Sequence, residues 1–213
     1  MGLAASGYAW TMASPTLASI RADVSSAAYG YLRRCSWMAD LPGDAPLLEE
    51  FAAPALALME SGKRTRAALL AAAYLSAGAG DIAPAIHAGA AVELYQASAL
   101  VHDDVIDHAQ IRRGVPTGHV AFAQAHRKAG WLGDEADFGA AGAILLGDLL
   151  LSLSTEACVR ACGLAPGGGR RALADFARMT GEVAFGQYLD VRAGRVPEQD
   201  DPVRAAMNVI VHK

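Results

Sequence analysis

Three carboxylates lie close together in the segment Val101–Asp107, whose neighbours along the chain are strongly apolar. Asp103 and Asp107 are four residues apart, which places them on one face of a helix, whereas Asp104 is rotated by about 100°. Like charges at this spacing repel one another, and a divalent cation with oxygen ligands is the simplest compensation. The segment therefore predicts a metal site. The alternative interpretation is a solvated acidic helix end without metal.

Oxygen donors without thiolates favour Mg²⁺ over softer metals. Mg²⁺ usually takes one or two protein carboxylates and fills its other positions with water or with phosphate oxygens of a ligand. A magnesium site at Asp103 and Asp107 thus also predicts a phosphorylated ligand.

Two basic clusters could bind such a ligand. Arg112 and Arg113 follow the acidic segment directly, and Lys63 and Arg66 lie three residues apart where an earlier helix is predicted to begin. Arg offers a planar fork to phosphate oxygens, Lys offers a point charge, and a helix start adds its backbone N–H groups. Each cluster alone is also explained as solvated surface. Together with the acids they indicate two polyanionic ligands, one bound directly and one bound through metal.

Helices are predicted throughout the chain as the elements that position these groups. The sequence is 53% hydrophobic and only 7% aromatic, apolar residues recur every three or four positions, and no stretch alternates convincingly as a strand would. The fold class is therefore all-α, as a bundle in which several helices are buried on all sides. The predicted helices cover about 16–38, 45–60, 64–78, 82–110, 136–162 and 170–191, with a last one beginning near Asp201 and Pro202.

Composition argues against several other classes of protein. A formal net charge of -4 does not supply the basic field that binding to a nucleic-acid backbone requires. The first 14 residues lack the features of a signal peptide, and each long apolar run contains a polar residue, so no membrane-spanning segment is expected. The three cysteines, Cys35, Cys158 and Cys162, form neither a metal-ligand spacing nor a disulfide framework, which favours a reducing cytoplasm.

The order and spacing of these motifs resemble those of the trans-isoprenyl (polyprenyl) diphosphate synthase family. The aspartate motif alone is only moderately specific, but the whole series is highly specific, and it covers about residue 45 to the end. The series comprises Gly62–Arg66, Glu93–Gln96, His102–Asp107, Arg112–Gly114 with Pro116 and Thr117, Gly147–Leu150, Gly186 and Gln187 with Asp190, and Lys213. One small departure is Ala67, where the family usually has Pro.

The resemblance implies an isoprenoid-synthase-like helical bundle around a central apolar cavity, and a homodimer. Residues 1–15 would form a flexible tail, and residues 16–213 would form the N-terminal two-thirds of a polyprenyl synthase domain. By the same resemblance, Asp103 and Asp107 would bind Mg²⁺ that bridges an allylic diphosphate, supported by Asp104. Arg112 and Lys213 would bind that diphosphate, Gln187 and Asp190 would line the site, and isopentenyl diphosphate would be bound by Lys63, Arg66, Gln96 and Arg113.

The implied reaction makes a carbon–carbon bond. Mg²⁺ and cationic side chains stabilise the departing pyrophosphate, and the isopentenyl double bond attacks the allylic cation in a dry cavity. The second aspartate-rich motif of the family does not occur in these 213 residues, because the acids at Asp200 and Asp201 are too few and too early. We therefore expect a chain truncated at its C-terminus. Without that motif part of the metal clamp is missing, which would leave these 213 residues inactive on their own. The alternative function is a catalytically incomplete helical partner subunit of a synthase.

Small residues just before the aspartate motif bear on product length. Ala99 and Ser98 lie four and five residues before Asp103, and in family members an aromatic residue here stops elongation early. Their small size predicts a geranylgeranyl or longer product, with Tyr95 as the next floor of the cavity.

Two other enzyme classes share part of the pattern. His102 and Asp103, with His87, His108 and His119, could imitate the set of a metal phosphohydrolase, but that function would not explain the basic clusters. A class I terpene cyclase shares the aspartate chemistry, yet it has no need of the isopentenyl site that Lys63 and Arg66 imply.

Overall fold

The computed structural model describes residues 15–34, 45–165, 167, 169–196 and 201–213. The flexible tail predicted at 1–15, apart from Pro15, lies outside these residues, as does Cys35. Within the described residues the chain forms eight α-helices and one short hairpin, which confirms the all-α prediction. The elements are α1 (Leu17–Arg34), α2 (Ala45–Glu60), α3 (Thr65–Ser76), α4 (Ala83–Ile106), β1 (Ile111–Arg112), β2 (Val115–Pro116), α5 (Gly118–Ala129), α6 (Glu135–Leu164), α7 (Arg170–Ala193) and α8 (Pro202–His212).

Helix α4 ends at Ile106, so the helix predicted to continue to residue 110 is too long. The backbone of His108 is left-handed, with φ of 53°, and its N–H donates to Val105 O, while Ala109 N–H donates to Asp104 O. These are the two hydrogen bonds of a Schellman C-terminus, in which the left-handed residue is usually Gly or Asn. A histidine in that place gave no stop signal in the sequence. As a result Asp107 is the C-cap of α4 and lies just beyond its last turn.

Helix α5 and the hairpin were both absent from the sequence-based prediction. The helix follows an extended Thr117 and ends at Gly130, whose φ of 66° is left-handed. Arg127 and Lys128 stand in its last turn, where cations favour the helix dipole. These are ordinary start and stop signals. They were hidden by the surrounding glycines and Pro116, which favour a loop.

The core lies between α4 and α6, which pass through the centre of the bundle and pack on each other more extensively than any other pair of helices. Large apolar side chains of both helices are buried there, with α1, α2 and α5 packed around them. The largest of these buried apolar side chains are Leu94 and Val101 of α4 and Leu146, Leu150 and Leu153 of α6. A second, smaller cluster joins α1, α3 and the start of α4. Helix α4 is thereby fixed from several sides, and its acidic end is held in place.

Close contact between α4 and α6 depends on Gly147. A Cβ at this position would overlap the imidazole of His102, and the Ser98 hydroxyl donates to the Gly147 carbonyl over 2.8 Å. The missing side chain at Gly147 therefore leaves room for the His102 imidazole against α6, directly before Asp103 in the chain.

One helix of the described residues, α6, is long and apolar enough to cross a membrane by length and composition. Its most apolar 18-residue window is 39% buried inside the bundle. The same helix supplies Leu146, Leu150 and Leu153 to the core, and central helices of water-soluble bundles share this composition.

Replacing Gly139 with alanine is expected to lower the free energy of unfolding by about 1–3 kcal/mol. A Cβ there would overlap the backbone carbonyl of His119 in α5, which cannot move aside as a side chain can. Gly163→Ala is the matched control, because Gly163 lies in the same helix with open space around it. This control should raise the free energy of unfolding by up to about 1 kcal/mol through helix propensity. Urea unfolding of both variants measures the difference, and equal effects would contradict the packing argument.

Candidate active site

Three side chains, from the hairpin, α7 and the end of α8, converge on the carboxylate of Asp103, at the last turn of α4. Arg112 Nη2 donates to Asp103 Oδ2 over 3.1 Å, and Gln187 Nε2 donates to Oδ1 over 2.9 Å. Lys213 Nζ lies 3.6 Å from the same Oδ1. The acidic motif, Arg112 of the basic pair that follows it, α7 and the end of α8 thus meet at one point.

Asp104 faces away from this point and is only 1% exposed. Its Oδ1 accepts a hydrogen bond of 2.6 Å from Arg112 Nε. Burial raises the pKa of Asp104, and the hydrogen bond and charge of Arg112 oppose that rise. Arg112 therefore bridges two adjacent acids, and its ion pairs with Asp103 and Asp104 attach the hairpin to the end of α4.

The position of Lys213 depends on close packing of α8 on α7. A Cβ at Gly186 would overlap the backbone of His212 and Lys213, so the glycine permits this approach. The ammonium of Lys213 forms an ion pair with Asp190. Burial lowers the pKa of Lys213, but the Asp190 hydrogen bond and the charges of Asp103, Asp190 and Asp107 outweigh burial and raise it. Asp107, although exposed, is thus near enough to act on the same cation.

The donor set at this point fits Mg²⁺. Among the described residues no three His, Cys, Asp or Glu side chains converge as a complete metal cage. Asp103 lines a cavity, and Asp107, four residues further along the chain, is the exposed C-cap of the same helix. Mg²⁺ commonly binds through one or two carboxylates and takes its other ligands from water and phosphate. One acid in a cavity wall and a second acid four residues away suit that pattern.

A cavity of about 570 Å³ opens beside Asp103, between α4 and α7. Its walls are mainly apolar and come from both helices, with polar and charged groups among them. The charged and amide side chains that line it are Arg66, Gln96, Asp103, Gln187 and Lys213. These five predicted ligand residues therefore share one cavity. The other predicted ligand residues are not among the described residues that line it, namely Lys63, Asp107, Arg112 and Arg113.

Both small residues that precede the aspartate motif line this cavity, but they differ in burial and in hydrogen bonding. Ser98 is 2% exposed, and its hydroxyl is bonded to the α6 backbone. Ala99 is less buried and has no such contact to replace. Tyr95 also lines the cavity and donates to Thr180 O over 3.2 Å, which joins α4 to α7. Ala99 is therefore the position where a larger side chain can enter the cavity.

The two basic clusters, one around Lys63 and Arg66 and the other at Arg112 and Arg113, come together at the C-terminal end of α2. Arg113 Nη1 donates to Leu58 O over 3.3 Å, and Arg64 Nη2 donates to Met59 O over 2.7 Å. The last turn of α2 contains no basic residue of its own. The carbonyls at a helix end favour cations, and here two arginines from other elements supply them. Contacts to one helix end thus hold the turn at Lys63 and the hairpin at Arg113 close together.

Arg64 is a functional candidate that the sequence analysis missed. It was grouped with its exposed neighbours, yet its side chain is 4% exposed. A signal was available, because Arg64 precedes the buried Ala67, Ala68 and Ala71 by three, four and seven residues, the spacing of one helical face.

The chain is similar to named synthases over most of its length. It is 30% identical to geranylgeranyl pyrophosphate synthase 7, chloroplastic, of Arabidopsis thaliana over 160 residues, which cover 73% of this chain and 41% of that protein. It is 38% identical to a probable farnesyl diphosphate synthase of Bradyrhizobium diazoefficiens over 150 residues, which cover 67% of this chain and 39% of that protein. The chain thus spans about two fifths of the length of these relatives.

A solved structure shares the fold. It is geranylgeranyl pyrophosphate synthase from Corynebacterium glutamicum complexed with isoprenyl diphosphate and magnesium, with a TM-score of 0.76 and 28% identity. The match covers 92% of this chain and 54% of that one. The family model for polyprenyl synthetase matches residues 48–213. This confirms the resemblance read from the motifs: the chain belongs to the polyprenyl synthetase family.

Proposed function

We propose that the protein is a Mg²⁺-dependent prenyltransferase that joins isopentenyl diphosphate to an allylic diphosphate. The observation that carries this proposal is the convergence of Arg112, Gln187 and Lys213 on Asp103 at the mouth of a largely apolar cavity. Cations beside a metal-binding acid suit a diphosphate, and the apolar walls suit its hydrocarbon chain. In this proposal residues 16–213 supply the N-terminal two-thirds of the synthase domain.

Each residue around Asp103 has a task in binding the allylic diphosphate. Asp103 and Asp107 would bind Mg²⁺, which supplies Lewis acidity to the leaving group. Arg112 is held beside them by Asp104 and offers its remaining N–H groups to phosphate oxygens. Lys213, now paired with Asp190 and Asp103, would turn its charge to the diphosphate once metal occupies Asp103. Together these groups stabilise the negative charge that develops on the departing pyrophosphate.

The cavity and the basic residues beside α2 would bind the second substrate, isopentenyl diphosphate. Arg66 and Gln96 line the cavity, and Arg113 is attached to α2 beside the turn that carries Lys63. These four residues would bind isopentenyl diphosphate, so that its double bond faces the allylic carbon. Apolar walls exclude water, which would otherwise capture the allylic cation.

The names of the relatives favour an enzyme over a catalytically incomplete partner subunit. The Arabidopsis and Bradyrhizobium proteins and the Corynebacterium structure are all named as synthases of geranylgeranyl or farnesyl diphosphate. A terpene cyclase or a phosphohydrolase would leave Arg66 and Gln96 in the cavity without a ligand.

The proposal extends to assembly and compartment. We propose a homodimer, supported by apolar side chains exposed on α6, of which Leu145 is 59% and Val159 is 52% exposed. We also propose a reducing cytoplasm. The two cysteines of the described residues, Cys158 and Cys162, are free thiols.

An isotope-incorporation assay tests the proposed reaction. The full-length gene product is incubated with farnesyl diphosphate, labelled isopentenyl diphosphate and Mg²⁺, and the products are extracted into an organic solvent after phosphatase treatment. We expect label in prenyl alcohols longer than farnesol. A folded protein that incorporates no label under these conditions would refute the proposal.

Replacing Ala99 with phenylalanine is expected to shorten the product by at least one five-carbon unit. The new ring would project into the cavity where the chain grows, whereas Ser98→Phe would separate α4 from α6 and disturb the fold. Chromatography of the released alcohols measures the length. Ala73→Phe, at an exposed position of α3, is the control. An unchanged product from Ala99→Phe would show that the chain does not grow along this wall.

A further inference from the structure

Arg64 makes four contacts that no other residue of the basic turn makes. Its Nε donates to Ser25 Oγ over 2.9 Å, and its Nη2 donates to Tyr29 OH over 3.3 Å, both in α1. Nη2 also donates to Met59 O of α2, and Nη1 pairs with Glu93 Oε2 of α4 over 3.3 Å. One guanidinium therefore joins three helices at the point where α3 begins.

The backbone around Arg64 is shaped to make these contacts. Its φ of 52° is left-handed, a conformation that a non-glycine residue keeps only when its surroundings enforce it. A Cβ at Gly62 would overlap the Arg64 guanidinium, so this glycine lets the side chain fold back over the turn. The contacts of Arg64 thus hold the turn in this left-handed conformation.

The neighbours of Arg64 are the residues that face the proposed ligand. Lys63 precedes it and is exposed, and Arg66 follows it and lines the cavity. Glu93, the acid that pairs with Arg64, lies three residues before Gln96, which lines the same cavity. Glu93 is itself shielded, with 11% of its side chain exposed. The ion pair therefore connects the basic turn to the helix that carries Gln96.

We propose that the Arg64–Glu93 pair is a positioning device for the isopentenyl diphosphate site. It fixes the turn that carries Lys63 and Arg66 in one register with Gln96, so that all three meet a single diphosphate. This inference rests on the proposed function, because it names the residues that shape one of the two substrate sites. Arg64 itself is a positioning residue and does not bind the ligand, since it is buried and four of its five N–H donors are committed to protein acceptors.

Two variants test this role by different routes. Glu93→Gln removes the charge that pairs with Arg64 at nearly constant size, and Gly62→Ala displaces the guanidinium while every charge remains. Glu49→Gln, at an exposed position of α2, is the control. Calorimetry on the full chain measures the Kd of isopentenyl diphosphate alone and, in separate titrations with Mg²⁺, the Kd of farnesyl diphosphate alone.

We expect both variants to raise the Kd of isopentenyl diphosphate by about tenfold, since small displacements of positioned groups have effects of this order or larger. The Kd of farnesyl diphosphate should change by less than twofold, because Asp103 and Arg112 lie outside this network. Arg64→Lys should also raise the Kd of isopentenyl diphosphate, since an ammonium with three N–H donors cannot bond to all four acceptors.

The ratio of the two Kd values separates positioning from a general loss of structure, which would weaken both ligands. Where Glu93→Gln lowers the unfolding midpoint, Gly62→Ala provides the same comparison. Equal effects on both ligands, or none on either, would overturn the positioning role while the proposed function stands. A wild-type chain that binds neither diphosphate would refute both.

Discussion

The Asp103→Asn variant of the full-length protein is expected to lose about 10²- to 10³-fold in kcat/KM for the allylic diphosphate. The Asp103 carboxylate accepts from Arg112 and Gln187 and lies near Lys213, and it is the proposed ligand of Mg²⁺. A neutral amide keeps the shape but weakens every one of these interactions. Charge stabilisation by a bound metal is worth several kcal/mol, and about 1.4 kcal/mol corresponds to a factor of ten in rate.

The control for this prediction is Asp175→Asn. Asp175 is exposed on α7, pairs only loosely with Arg171 and is not among the residues that line the cavity. It should leave kcat/KM within twofold of the wild type. If Asp103→Asn behaves like this control, Asp103 does not bind the metal or the diphosphate, and the site has to be sought elsewhere.

The Arg112→Met variant is expected to lower the free energy of unfolding by about 3 kcal/mol, in addition to its effect on activity. Removing one partner of a buried ion pair typically costs about 3–5 kcal/mol, because the other charge is left buried without compensation. The low end applies here, since Arg112 is 29% exposed while the Asp104 side chain is 2% exposed. Urea unfolding monitored by circular dichroism measures the change.

A second substitution separates this charge effect from lost packing. In the double variant Arg112→Met with Asp104→Asn, the uncompensated carboxylate is gone, so at least half of the lost stability should return. Arg127→Met, which breaks the exposed pair with Glu135, should leave the unfolding midpoint unchanged. A double variant no more stable than Arg112→Met would show that Asp104 is not the source of the cost.

The helical elements of the site were largely predictable from local sequence. The apolar spacing gave α2, α3, α6 and α7 within a few residues, because the signals that decide a buried helix are carried by its own side chains. The end of α4 was misplaced because His108 adopts a left-handed conformation that its residue type does not announce. The hairpin was missed because its strands are only two residues long and do not show an alternating pattern.

The contacts within the site were less predictable than its members. Sequence order alone could not show that Gln187 and Lys213, more than 80 residues from Asp103, reach its carboxylate. Those approaches depend on close packing of helices, as at Gly186, and such packing is decided by tertiary structure. The buried role of Arg64 was missed for the same reason, since its partners lie in α1, α2 and α4.

Asp103, Asp107, Arg112 and Lys213 are proposed to form a site for a magnesium-bound diphosphate. Calorimetric titration of farnesyl diphosphate into the full chain, once with Mg²⁺ and once with a chelator, tests this site most directly. We predict saturable binding with Mg²⁺ and a Kd at least about tenfold higher without it, since the acids then repel the ligand. Binding of equal strength in both conditions, or no binding in either, would contradict the claim.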